Sequence, residues 1–102
     1  PGASMEAQKR GGVVGIVVER CEAASEINAI LHDFAGIIVG RMGIPYRERG
    51  VSIVSLIVDG NTDEISALTG RLGRVHGTSV KTALAREMHD RAHASKQTAE
   101  EA

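Results

Sequence analysis

The stretch "VSIVSLIVD" (residues 51–59) decides the fold. Its Val and Ile content calls for an extended strand, and the apolar residues occupy both parities. Val51, Ile53 and Ile57 point one way, while Val54, Leu56 and Val58 point the other. A strand with one wet face would alternate apolar with polar residues. This one needs cover on both sides. The first apolar run, "GVVGIVVE" (12–19), has the same character, with Val13 and Val17 set against Val14, Ile16 and Val18.

Immediately upstream lies "GRMGIPYRERG" (40–50), preceded by "IIV" at 37–39. "IIVGRM" (37–42) is a second β-branched run, so it pairs with 51–59 as a hairpin. The stretch between them is the end of one strand, a turn and the entry to the next. Pro45 fixes φ and holds Ile44 extended, Gly50 lets the turn close, and Gly40 and Gly43 mark a bulge or a close backbone approach.

Between the first two strands, Ile27, Ile30, Leu31 and Phe34 fall at i, i+3, i+4 and i+7, an apolar stripe on a helix that Gly36 can end. After the hairpin, Asn61 and Glu64 have capping-box spacing. Ile65, Leu68, Leu72 and Val75 then continue as a second amphipathic helix, with Arg71 and Arg74 near its negative end. "TSVKTALA" (78–85) opposes Val80 and Leu84 to Lys81 and reads as a half-exposed edge strand.

Strand, helix, strand, strand, helix, strand with right-handed crossovers makes a ferredoxin-like α+β domain. Its four-stranded antiparallel sheet carries both helices on one face. The other face stays open. Four strands of about six residues, at about 3.3 Å per residue and 4.8 Å spacing, leave roughly 400 Å² uncovered. At about 25 cal/mol per Å² its burial is worth on the order of 10 kcal/mol before association costs, so a partner surface is expected. A second copy is the simplest partner, as a dimer or a tetramer.

The chain has 102 residues, enough for one domain. Lys and Arg number 12 against 13 Asp and Glu, so no overall field draws it to nucleic acid or to an anionic membrane. No apolar run reaches the roughly 18 residues of a membrane span. One cysteine fits a reducing, cytoplasmic setting. Residues 1–11 are expected to be an expression scar and flexible N-terminus, 12–85 the domain, and 86–102 a polar, disordered tail.

The residues "GRMGIPYRERGVSIVSLIVDG" (40–60) and "DEISALTGRLGRVHGTSVKTA" (63–83) resemble the small regulators of the iron-only hydrogenase system. Those proteins are ACT-like and similar to the ligand-binding domain of nickel-responsive regulators. The resemblance spans 12–83 and implies a ferredoxin-like (ACT-like) fold, self-association and a regulatory role. Neither central strand carries a histidine and Cys21 follows the first strand, so the nickel site is not carried over. The short segment ahead of the first strand leaves no room for a DNA-binding ribbon-helix-helix unit, and direct nucleic-acid binding is not expected. The loop "ERCEAAS" (19–25) lacks the glycine often found beside an ACT amino-acid site.

The ligand-binding candidates are Arg41, Arg47 and Arg49, which offer forked donors for carboxylate or phosphate, and Tyr46, a flat face with a hydroxyl. The same residues also read as a solvated rim, with Glu48 bridging to the arginines. His89 and His93, in "HDRAH", have i, i+4 spacing for a metal, but in a polar tail they are weak ligands. His32 reads as a boundary residue, His76 as part of a turn, and Cys21 as a small buried hydrophobe rather than a redox-sensing thiol, since no second cysteine is there to resolve it. No catalytic triad order, P-loop or dinucleotide fingerprint is present, so no cofactor and no enzymatic activity are expected. The expected function is a non-enzymatic, self-associating regulator that binds a small anionic ligand at a subunit interface. The alternative is a structural or protein-interaction module docking on a hydrogenase-maturation component.

Overall fold

The computed structural model describes residues 9–85. Strand β1 runs Arg10–Val18, helix α1 Ala24–Asp33, β2 Ile38–Tyr46, β3 Val51–Gly60, helix α2 Thr62–Gly73 and β4 Thr78–Leu84. The four strands form one antiparallel sheet in the order β2-β3-β1-β4. This is the ferredoxin-like βαββαβ arrangement. Residues 1–8 of the expected scar and N-terminus, and the tail with His89 and His93, lie outside the described residues.

The register assigns the parities. Val14, Ile16 and Val18 of β1 lie beside Leu56, Val54 and Ser52 of β3 and face the helices. Ile27, Ile30 and Leu31 of α1, with Ile65, Leu68 and Leu72 of α2, bury against them. Ile16, Leu56, Leu68 and Leu72 are fully enclosed. Helix α2 starts at the expected capping box: Asn61 Oδ1 accepts from Glu64 N–H at 2.8 Å, and Asn61 N–H donates to Glu64 Oε1 at 2.9 Å.

Several boundaries differ from the sequence reading. β1 begins at Arg10 rather than 12, because Arg10 and Gly11 still register against Gly60 and Asp59. α1 stops at Asp33, ahead of Gly36, which sits inside a 3-10 turn (Ala35–Ile37) that swings Ile37 into the core. β2 continues past Met42 to Tyr46, with Pro45 opposite Ser52. An edge strand leaves alternate N–H groups without a ladder partner, so proline is accommodated there. The turn is confined to a 3-10 segment (Arg47–Arg49) and Gly50, whose φ of 68° is left-handed. The register shifts between Ile38 and Gly40, so the bulge falls at Val39.

Cys21 corrects the reading that buried it. It is exposed in a 3-10 turn (Cys21–Ala23), and the inward position there belongs to Ala23, 3% exposed.

Candidate functional site

The open face of the sheet is built in rows by the register. Gly40, Ile57, Val13 and Ala83 form one row; Met42, Ser55, Gly15 and Lys81 the next; Ile44, Ile53, Val17 and Ser79 the third. Tyr46 lies beside Val51 at the end. Two branched ridges thus flank a shallow trough of small residues at Gly15 and Ser55. Of the eight large apolar side chains exposed on the described residues, Val13, Val17, Met42, Ile44, Tyr46, Ile53 and Ile57 share this face, and Val39 is the bulge residue.

The expected ligand residues divide between the two sides of the sheet. Arg41 pairs with Leu56, so it points toward the helices, where its Nη2 donates to Asn28 Oδ1 of α1 at 3.1 Å. Tyr46 belongs to the open face, roughly 16 Å further along β2 at about 3.3 Å per residue. Arg47 and Arg49 are exposed in the turn. Neither forms an ion pair with Glu48 among the described residues.

On the helix side, β2 leaves a cleft against α1. Its inward positions are Arg41, Gly43 and Pro45, and none fills the space beside the core. Gly43 stands opposite Val54 and puts no side chain over it. A cavity of about 180 Å³ results, walled by Val18, Ala24, Ile27, Pro45 and Val54, with Arg20, Cys21 and Asn28 at its margin. A wider, shallower hollow of about 420 Å³ adjoins it at Asn28 and reaches His32 and Arg41. Neither lining contains an Asp or Glu. The Asn28–Arg41 hydrogen bond stands where the two meet.

Arg20 is held at the mouth. Its Nη1 donates to the His76 carbonyl at 3.4 Å, and its stem lies over Gly77. Gly77 has a φ of 78°, and a Cβ there would stand 2.7 Å from Arg20 Cγ and Cδ. Glu19 N–H donates to Gly77 O at 2.8 Å, tying the loop after β1 to the loop before β4. Arg20 and Asn28 were missed as site residues because their sequence surroundings carry no motif. The one local signal was the glycine at 43, already marked in the sequence as a place of close backbone approach.

Residues 10–82 match the model of the TM1266-like family, described as "Iron-only hydrogenase system regulator, putative". The chain belongs to this family. Protein TM1266 from Thermotoga maritima has a solved structure 38% identical in sequence, with a TM-score of 0.73 over 76% of this chain and 99% of that one. A formyltetrahydrofolate deformylase from Pseudomonas putida KT2440 shares the fold at 9% identity and a TM-score of 0.54, over 72% of this chain and 28% of that enzyme. A protein from Galdieria sulphuraria does so at 16% identity and 0.52, over 80% and 48%. No curated protein sequence matches the chain.

Among the described residues of this TM1266-like chain, the two histidines and the cysteine are dispersed. His32 is on α1, His76 follows α2 and Cys21 precedes α1. No group of three or more His, Cys, Asp or Glu able to hold a metal ion occurs among the described residues. No helix among them is long and apolar enough to cross a membrane.

Proposed function

We propose that this member of the family is a non-enzymatic regulatory domain acting in the cytoplasm, which self-associates through its open sheet face and responds to a small anionic ligand. One observation carries the reading: seven large apolar side chains are exposed on one continuous face. With strands of 7 to 10 residues, that face measures roughly 550 Å² at about 3.3 Å per residue and 4.8 Å between strands. Two copies together bury roughly 1,100 Å², above the roughly 1,000 Å² a biological interface should clear and just below the standard size.

A second copy suits the surface because ridge and trough are both present on it, and an isologous contact needs a self-complementary patch. Charge is sparse there, with Lys81 on the β4 edge and Asp59 at one end. For the ligand, the support is the cationic character of the cleft and of the turn.

Light scattering coupled to size exclusion tests the assembly. A dimer or higher oligomer at tens of micromolar is expected. A monomer overturns self-association and leaves the face to a different protein.

A further inference from the structure

We propose that the cleft between α1 and β2 binds a short monocarboxylate with an apolar body of about six carbons and no ammonium group, its carboxylate held by Arg20. The proposal rests on the ligand-binding reading above and gives it a place and a chemistry. An apolar cavity of about 150 Å³ in another protein accepts benzene. The present one is about 180 Å³ and apolar on most of its wall, so it suits a body of that size.

The polar groups at its margin select the head. Arg20 is the cation that lines this cavity; its Nη1 is turned to the His76 carbonyl, which leaves its other N–H groups for a carboxylate. Asn28 offers an amide N–H from α1, because its Oδ1 is already occupied by Arg41. Arg20 Nε also lies 3.8 Å from Glu22 Oε1, an exposed pair that a carboxylate in the cleft can replace. Charge-assisted pairing with a guanidinium favours a carboxylate over a neutral amide. The linings contain no carboxylate, and the nearest one, Glu22, is exposed outside them and screened by solvent, so the ammonium of an amino acid finds no buried counter-charge. The site therefore discriminates against zwitterions. This differs from the expectation built on Arg41, Tyr46, Arg47 and Arg49, which lie on two sides of the sheet and at its end.

The test is a titration of the full-length ¹⁵N-labelled chain followed by amide chemical shifts. The probes are hexanoate, hexanamide and norleucine. Saturable shifts with hexanoate are expected at Ala24, Ile27, Asn28, Gly43 and Ser52, with a Kd on the order of 1 mM for so small a ligand. Hexanamide and norleucine should bind at least about tenfold more weakly.

Arg20→Gln should weaken hexanoate by about tenfold or more, and Arg41→Gln by much less. Gly43→Leu should abolish binding in a folded protein, because a Cβ there meets Val54 Cγ2 at an ordinary 3.7 Å. The absence of saturable shifts in the cleft overturns the proposal, as does equal binding of norleucine or a greater loss with Arg41→Gln than with Arg20→Gln. Saturable shifts confined to Arg47 and Arg49 overturn the cleft while leaving a ligand-binding role intact. Repeating the titration on Ile53→Asp, altered on the opposite face, separates a failure of the cleft from a failure of the assembly.

Discussion

Arg71 Nη1 of α2 lies 3.0 Å from Asp33 Oδ2 at the end of α1, and its guanidinium carbon is 5.5 Å above the Phe34 ring. One side chain thus joins the two helices on the surface above the core. Both partners are partly exposed, so the ion pair contributes about 1 kcal/mol at most and the ring contact a similar amount. Arg71→Ala should cost about 1 kcal/mol in urea unfolding and Asp33→Asn about half as much. The Asp33 effect should shrink in high salt, whereas a loss of several kcal/mol from either change would point to a core role.

The capping box sets a second increment. Asn61→Ala removes the acceptor for Glu64 N–H and should cost about 1 kcal/mol. For a domain of this size that lowers Tm by about 4–8 °C. Asn61→Asp should hold Tm within about 2 °C of the parent, since Asp caps about as well.

Adjacent residues of β3 should respond oppositely to the same change. Val54 is 8% exposed toward the helices and Ile53 is 44% exposed on the open face. Val54→Asp buries an unpaired charge and should abolish the folded circular dichroism signal. Ile53→Asp should keep the signal and yield a smaller species in light scattering. An Ile53→Asp chain of unchanged mass would remove the open face from the assembly.

For the turn, Arg47→Ala and Arg49→Ala should each change stability by less than about 0.5 kcal/mol, because both side chains are exposed. Their effect, if they serve a ligand or protein partner, should be read in binding alone. Unfolding free energies lowered by several kcal/mol would make them structural.

Gly77→Ala meets two obstacles, a left-handed φ and the stem of Arg20. It should cost about 1–3 kcal/mol. In an Arg20→Ala background the steric part is relieved, so the same change should cost less. A double-mutant cycle of thermal melts reads the difference. Strictly additive effects would show that the stem makes no contribution.

The element order was legible because each period is unambiguous: helical spacing at 27–34 and 65–75, β-branched runs at 13–18 and 51–58. The capping box at Asn61 was legible for a similar reason, being short and local. Which parity of β3 meets the helices was not, since both Val54 and Ile53 are apolar. Arg41 was harder still. Its side of the sheet follows from the register that starts at Tyr46 opposite Val51, and the extra residue at Val39 breaks the alternation that would have linked it to Ile38. The cleft depends on Arg20, Asn28 and Gly43, which only the tertiary fold brings together. Cys21 was misplaced because Ala23, two positions on, turns inward instead.

The bulge at Val39 has a consequence for how this segment tolerates change over generations. Arg41, Gly43 and Pro45 answer to the helix side, and Met42, Ile44 and Tyr46 to the open side. Single substitutions in residues 40–46 therefore disturb one surface at a time. The pairing of 40–46 is held from the turn end, by Tyr46 opposite Val51, so loss of one codon at the bulge would re-phase only the residues ahead of Gly40, Ile38 foremost, against β3. Length variation in this hairpin should therefore collect at the bulge, while residues 40–46 and the turn that sets their register keep their count.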